Sequence, residues 1–220
     1  MALRAVAFDM DGVLIDSEKV YRMCWLKNGL SIGIPENEMS KICDRMAGGT
    51  KKTNAHVMKE KMGEDFDYLA FRQRTVDMVE AYLNEHGVEL KHGVIETLKT
   101  LKARGIKMAV ATSTDRERAE DKLIRSGLLP YFDDVICGDE IERGKPYPDI
   151  YLKACEKLGT KPEETVGVED SINGVTASHD AGLYTLMVID LIQPDEERKQ
   201  TVSATIYLHW RNYLKTDEAV

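Results

Sequence analysis

Hydrophobic positions along the chain change character twice, from a continuous run to helical spacing and then to an alternation of the two. Residues 4–8 (RAVAF) form an apolar run of small and branched side chains, which is typical of a strand buried on both faces of a sheet. Between residues 17 and about 85 the apolar positions follow helical spacing, and no segment there favours a strand. The last of these helical patterns ends at Gly87, a residue type that commonly terminates helices.

From residue 93 onward, helical and strand patterns alternate regularly. The predicted helices are 94–105, 116–127, 148–159 and 171–182, and the predicted strands are 107–112, 133–137, 165–169 and 183–189. Such alternation predicts a doubly wound parallel α/β sheet. The sequence therefore indicates an α/β core formed by residues 1–14 and 88–220, interrupted after its first strand by a helical domain at 15–87.

Composition and charge exclude several classes of protein. Of the 220 residues, 43% are hydrophobic and 31% are charged, as in soluble globular enzymes, and the formal net charge of −8 argues against a nucleic-acid partner. No apolar stretch is long enough to span a bilayer, and Asp9 interrupts the first apolar run too early for a signal peptide. We therefore expect a cytoplasmic protein that does not bind membranes.

The cysteines support the same compartment. They show no C-x-x-C spacing, so we expect buried, reduced thiols rather than a metal site or a disulfide framework. The four positions are Cys24, Cys43, Cys137 and Cys155.

Charged and hydroxyl side chains lie just beyond the carboxyl ends of four predicted strands. In an open parallel sheet, ligands bind outside these strand ends, where connections diverge to opposite faces. The sequence therefore predicts one site that contains two acids after the first strand, a hydroxyl after the second, a lysine after the third and two acids at the end of the fourth. These residues are Asp9, Asp11, Thr112, Lys145, Glu169 and Asp170.

Each of these residues also has a structural interpretation. A D-x-D pair can cap a turn or a helix, and the hydroxyl side chains at 112–114 can cap the following helix. Lys145 can be a solvated loop residue, and Asp170 can cap the helix that begins near Ser171. These interpretations do not explain why all the residues follow strand ends.

The clustered acids predict a divalent cation. Two carboxylates about 4 Å apart repel each other by about 4 kcal/mol at an effective dielectric constant near 20. Lys145 supplies only one compensating charge, and an oxygen-only ligand set suits Mg²⁺, especially if a phosphate shares the site. Gly12 directly follows Asp11, a spacing that excludes an EF-hand calcium loop.

Four segments together resemble the motifs of the haloacid dehalogenase (HAD) superfamily, in the same order and spacing. They are FDMDGVLIDS (8–17), ATST (111–114), GKPYPDIY (144–151) and GVEDSINGV (167–175). The resemblance covers essentially the whole chain and is greatest to the branch with a C1-type cap, which contains phosphatases and β-phosphoglucomutases. It implies a Rossmann-like HAD core and assigns the inserted helical domain as the cap.

The resemblance also implies roles for individual residues. Asp9 is the implied nucleophile that forms an aspartyl-phosphate, and Asp11 is the implied general acid and then general base. The implied metal ligands are the Asp9 carboxylate, the Asp11 backbone carbonyl and Asp170, with Glu169 beside them. The residues implied in phosphate binding are Gly12, Thr112, Ser113 and Lys145, of which Thr112 and Lys145 are also counted as catalytic.

Cap residues are candidates for substrate contacts. RMAGGTKK (45–52) has the composition of a cap loop that contacts an anionic or hydroxylated substrate through Arg45, Lys51 or Lys52, although a solvated basic turn is equally open. Sugar phosphomutases of the branch have a histidine and a cap lysine where this chain has Tyr21 and Gln73. Asp16 is expected at the hinge into the cap, with a structural or a catalytic role.

The sequence thus predicts a Mg²⁺-dependent phosphatase acting on a small phosphorylated metabolite, in particular a sugar phosphate. We expect a monomer or a weak dimer. The two alternatives are a phosphomutase of the β-phosphoglucomutase type and a non-catalytic phospho-ligand sensor on the same fold.

Overall fold

The computed structural model describes residues 3–46, 51–189 and a strand at 204–207. The chain divides into two compact units. One contains Met1–Ile15 with Glu89–Val220, and the other contains Asp16–Val88. We call them the α/β unit and the helical unit.

The α/β unit contains one parallel sheet of six strands in the order β3-β2-β1-β4-β5-β6. The strands are β1 (Ala5–Phe8), β2 (Lys107–Ala111), β3 (Asp134–Ile136), β4 (Thr165–Glu169), β5 (Tyr184–Ile189) and β6 (Ala204–Tyr207). The chain moves from β1 outward to β3 and then returns to the other side of β1, so β1 and β4 flank the topological switch point. The predicted doubly wound α/β sheet is confirmed.

The described helices fall into two groups, one in each unit. The helical unit contains α1 (Glu18–Ser31), α2 (Glu36–Met46), α3 (Lys51–Met62) and α4 (Tyr68–His86), and the α/β unit contains α5 (Val94–Ala103), α6 (Arg116–Arg125), α7 (Asp149–Leu158) and α8 (Ile172–Asp180). None of the described helices combines the length and apolarity needed to cross a membrane.

Small side chains on one face of the sheet let helices approach closely. Alternate residues of β1 and β2 on this face are alanines, which pack against α7 and α8 in one buried cluster. At Gly167 in β4, a Cβ atom would lie 2.1 Å from Ser178 Oγ, so α8 packs directly over the backbone there. Asp9 follows Ala7 by two residues, and Glu169 follows Gly167 by two.

The helical unit is held by buried apolar side chains and one buried polar contact. One cluster combines Ile34, Met39 and Ile42 with Met58 and Phe71. Asn28 of α1 donates from Nδ2 to the backbone oxygen of Phe71 and to Thr75 Oγ1, both at 2.8 Å. This amide therefore fixes the register of α1 against α4.

The structure differs from the predicted elements at helix ends and at β6. The predicted α/β-unit helices extend to the glycines at 105, 127, 159 and 182, but each helix ends one or two residues earlier and the glycine takes a positive φ. This left-handed conformation ends helices because it is accessible to glycine without a Cβ clash. Strand β6 is absent from the predicted elements.

Candidate active site

Lys145 binds two carboxylates at the strand ends. Its Nζ donates to Asp9 Oδ1 at 2.5 Å and to the backbone oxygen of Ala111 at 2.8 Å, and it also pairs with Glu169 Oε1. The side chains of Lys145, Asp9 and Glu169 are 6%, 12% and 0% exposed. Lys145 is therefore not a solvated loop lysine, and the loop between β3 and α7 brings it to the ends of β1 and β4.

Burial changes the proton affinity of this trio. The pKa of Asp9 is raised to about 7, mainly because burial removes the carboxylate from water; Lys145 opposes this rise and the charge of Glu169 adds to it. Burial alone would lower the pKa of Lys145, but the two carboxylates outweigh it and raise that pKa above its usual range. The Lys145 ammonium group thus stays charged beside Asp9. In the metal-free protein, burial disfavours the ionised form of the Asp9 carboxyl group.

Glu169 is fixed by three neighbours. Its Oε1 accepts from Tyr151 OH at 2.6 Å as well as from Lys145, and its Oε2 accepts from Ser171 Oγ at 3.3 Å. The side chain also lies against the backbone at Gly174, where a Cβ atom would come within 1.9 Å of it. Tyr151 was not identified from the sequence.

The lack of a side chain at Gly12 leaves room for the Asp170 carboxylate. Gly12 has a φ of +87°, and a Cβ atom there would lie 1.9 Å from Asp170 Oδ2. Any other residue would combine backbone strain with a direct clash. The absence of a side chain at Gly12 therefore lets the carboxylate that follows β4 reach the turn that follows β1.

Three carboxylates form a group suited to a metal ion. One oxygen from each of Asp9, Glu169 and Asp170 lies within 4.8 Å of the other two, and all three residues are buried. An oxygen-only set of this kind fits a hard divalent cation. The contribution expected from Asp11 concerned its backbone carbonyl and stays a prediction.

The Asp11 carboxylate is held by two donors from the segment that follows β2. Thr114 Oγ1 donates to Asp11 Oδ2 at 3.1 Å, and Lys122 Nζ donates to Asp11 Oδ1 at 3.2 Å. Lys122 is only 1% exposed. Lys122 therefore adds a second buried ammonium group beside that of Lys145, and the sequence analysis did not identify it.

The net formal charge of six side chains in the site matches the charge of one divalent cation. With all four carboxylates ionised, they face two ammonium groups, which leaves a formal charge of −2 within this group. That is the charge that one Mg²⁺ neutralises. The six residues are Asp9, Asp11, Lys122, Lys145, Glu169 and Asp170.

The alternative capping roles are filled by other residues. Asp115, not a hydroxyl residue at 112–114, caps α6 by accepting from Arg118 N. Ser171, not Asp170, caps α8 by accepting from Gly174 N at 3.1 Å.

The hydroxyl residues after β2 differ in exposure. Thr112 is buried, and its Oγ1 accepts from Thr114 N at 3.1 Å, so its own O–H can donate to a ligand. Ser113 is exposed, and its phosphate contact stays a prediction.

The candidate cap residues lie on helices of the helical unit rather than in a loop. Arg45 is in the last turn of α2 and pairs with Glu60, and Lys51 and Lys52 are exposed in the first turn of α3. Residues 47–50 lie outside the described residues. The structure leaves the substrate contacts of these three basic residues as predictions.

This chain is similar to known phosphatases over most of its length. The family model of haloacid dehalogenase-like hydrolases matches residues 3–182. A phosphorylated carbohydrates phosphatase of Thermotoga maritima is 35% identical over 181 residues, 82% of each chain.

Solved structures extend the similarity to the fold. A T. maritima crystal structure with a provisional β-phosphoglucomutase assignment has a TM-score of 0.77 and 31% identity, with coverage of 98% of this chain and 100% of that chain. CbbY of Rhodobacter sphaeroides in complex with xylulose-(1,5)bisphosphate has a TM-score of 0.74 and 25% identity, with coverage of 93% of both chains. The motifs, the strand-end carboxylates and these relatives agree, and the chain belongs to the haloacid dehalogenase-like hydrolase family.

Proposed function

We propose that this protein is a Mg²⁺-dependent phosphatase that hydrolyses a small sugar phosphate through an aspartyl-phosphate on Asp9. The observation that carries the proposal is the separation of two aspartates into different surroundings. Asp9 lies against Lys145 in the buried carboxylate group, whereas Asp11 is held by Thr114 and Lys122. Two carboxylates in different environments can take the roles of nucleophile and acid–base.

In the first step, a carboxylate oxygen of Asp9 attacks phosphorus and the bond to the leaving oxygen breaks. Asp11 gives that oxygen a proton, so the sugar leaves as an alcohol. Lys145, which stays charged beside Asp9, offsets the negative charge on the phosphoryl oxygens, and the O–H of Thr112 is free to donate to one of them.

In the second step, water replaces the sugar. Asp11, now ionised, accepts a proton from the water, whose oxygen bonds to phosphorus while the bond to Asp9 breaks. Inorganic phosphate leaves and both aspartates return to their starting forms. Because each step reverses the proton transfer of the other, one carboxylate serves both.

The metal site fits the residues present. Asp9, Glu169 and Asp170 would hold the ion together with the backbone carbonyl of Asp11. The bound ion would supply positive charge that offsets the repulsion among the carboxylates and between them and the phosphate. Removal of metal with a chelator should abolish activity; Mg²⁺ should restore it and Ca²⁺ should not, because calcium prefers longer bonds and more ligands.

The relatives and the helical unit support the proposed substrate class and cap. A relative is a phosphatase of phosphorylated carbohydrates, and a CbbY structure contains a sugar bisphosphate. We propose the helical unit as the cap and Arg45, Lys51 and Lys52 as its substrate-binding residues. The four cysteines are buried and free, which supports a reducing, cytoplasmic location.

A phosphomutase is the second candidate, since a structural neighbour carries that assignment. The cap positions argue against it. Tyr21 packs with a buried cluster of the helical unit, and Gln73 donates to Asp77 within the same helix, at 2.9 Å. Neither replaces the histidine and lysine expected of a mutase.

A partitioning experiment separates the two activities. We would supply β-glucose 1-phosphate with Mg²⁺ and a bisphosphate primer, alongside a panel of sugar phosphates. The phosphatase proposal expects inorganic phosphate from at least one sugar phosphate and little glucose 6-phosphate. Rapid formation of glucose 6-phosphate with negligible free phosphate would establish the mutase instead.

A further inference from the structure

Lys122 lies at a position where a helix normally places an apolar residue. The buried residues of α6 are Ala119, Lys122 and Leu123, and Lys122 is 1% exposed. An ammonium group loses its hydration on burial, and an aliphatic side chain of the same length would fill this space at lower cost. Packing alone therefore gives no reason for a lysine here.

The ammonium group of Lys122 pairs with the carboxylate of Asp11. Its Nζ lies 3.2 Å from Asp11 Oδ1, across 111 positions of sequence. Thr114 Oγ1 holds the other oxygen at 3.1 Å, so each oxygen of the carboxylate has its own donor. Two donors on opposite oxygens restrict rotation of the Asp11 side chain.

The second donor is itself well fixed. Thr114 N donates to Thr112 Oγ1 at 3.1 Å, and its backbone oxygen accepts from Gly138 N at 3.0 Å. A Cβ atom at Gly138 would lie 2.5 Å from the backbone oxygen of Ser113, so this segment packs closely against the loop after β3. The Asp11 carboxylate is therefore held between a rigid turn and a buried helix face.

Lys145 and Lys122 pair with different aspartates. Lys145 binds Asp9 and Glu169, whereas Lys122 binds Asp11. We propose that Lys122 is a positioning residue that orients Asp11 for proton transfer to the leaving oxygen. This inference rests on the proposed phosphatase function, in which Asp11 gives that proton.

If Lys122 positions Asp11 for proton transfer, the loss of activity without Lys122 should depend on whether the leaving group needs a proton. An alkoxide leaving from a sugar phosphate needs a proton, whereas p-nitrophenolate leaves from p-nitrophenyl phosphate without one. The ratio kcat/KM reports only the steps up to the first irreversible one, which is the phosphorylation of Asp9 with departure of the leaving group. Loss of Asp11 positioning should therefore lower kcat/KM for sugar phosphates and spare it for the aryl ester.

The experiment compares Lys122→Met with wild type on both substrates. We expect kcat/KM for the sugar phosphate to fall about 10- to 100-fold, which is up to the lower end of the range for complete loss of general acid catalysis, and for p-nitrophenyl phosphate to change less than about 3-fold. Lys122→Arg keeps a charged donor and should recover much of the lost rate. Lys153→Met removes a lysine that bonds the backbone oxygen of Glu140 at an exposed site, and should leave both substrates unaffected.

A double variant tests whether Lys122 acts through Asp11. In an Asp11→Asn background, Lys122→Met should cause no further loss on the sugar phosphate, because its partner is already disabled. Equal losses on the two substrates, additive losses in the double variant, or no loss at all would overturn the proposal. If Lys122→Met does not fold, Lys122→Gln takes its place in the same comparison.

These outcomes are distinct from failure of the proposed function. Wild-type protein that releases no phosphate from any sugar or aryl phosphate would refute the phosphatase. If the wild type is active but Lys122→Met changes kcat/KM equally for the sugar phosphate and the aryl phosphate, only the role of Lys122 is refuted.

Discussion

Replacement of Asp9 by asparagine should abolish turnover and yet stabilise the metal-free protein at alkaline pH. Asparagine has nearly the volume of aspartate but cannot attack phosphorus or ionise. In the metal-free fold, burial raises the pKa of Asp9 from 3.8 to about 7. This preference for the protonated form corresponds to an upper limit of about 4 kcal/mol.

The sign of the pH dependence follows from proton binding. Between pH 3.8 and about 7 the folded wild type holds a proton on Asp9 that the unfolded chain has released. The Asp9 contribution to stability is therefore lost as pH rises through this window. Asparagine imitates the protonated carboxyl group, so the variant avoids the loss, and we expect its advantage to be near zero at pH 4 and about 1–4 kcal/mol at pH 8.

The assay is urea unfolding, followed by circular dichroism in a chelator, at several pH values. Asp65→Asn, at an exposed position between α3 and α4, is the matched control and should show no such trend. Mg²⁺ should stabilise the wild type more than Asp9→Asn, because it binds the ionised carboxylate. A variant less stable than wild type at pH 8, or an advantage that does not grow with pH, would refute the account of this carboxylate group.

Three further substitutions test other parts of the site. Lys145→Met should lower kcat by about 100-fold or more, since it removes the charge that faces the phosphoryl group, and should tighten Mg²⁺ binding in calorimetry because it removes a competing cation. Tyr151→Phe should lower the free energy of unfolding by about 1–3 kcal/mol, since a buried carboxylate oxygen loses a donor, whereas the exposed Tyr147→Phe should be neutral. Gly12→Ala should abolish Mg²⁺ binding and turnover, whereas Gly33→Ala, with a φ of +86° but open space around it, should cost only stability.

Each of these three predictions would be contradicted by a specific result. Unchanged turnover in Lys145→Met would remove that residue from the chemistry. Equal effects of the two tyrosine substitutions would mean that the buried hydroxyl group contributes nothing specific. Normal metal binding in Gly12→Ala would show that the carboxylate opposite it tolerates displacement and does not bind the ion.

The sequence pattern predicted the fold and the functional residues at strand ends, because both depend on local signals in the sequence. Alternating helices and strands predict a parallel sheet, and in such a sheet strand ends meet at one edge. Asp9, Glu169 and Lys145 were identified in this way, and the structure brings them into contact.

The residues that sequence reasoning missed act through long-range contacts. Lys122 meets Asp11 across 111 positions, and Tyr151 meets Glu169 from a helix face that reads as ordinary core. A signal for Lys122 was present, since it occupies a core-facing position beside Ala119. The capping residues could not be distinguished either, because serine, threonine and aspartate cap helices about equally well.

The central claim is that the phosphoryl group of the substrate is transferred to the Asp9 carboxylate. Its most direct test is a rapid acid quench of enzyme, Mg²⁺ and a sugar phosphate labelled in its phosphoryl group, followed by peptide mapping. We expect one labelled phosphoryl group on the peptide that contains Asp9, formed and lost at rates consistent with turnover and absent in Asp9→Asn. Phosphate release that proceeds with no labelled Asp9 peptide, or that persists in Asp9→Asn, would contradict the mechanism.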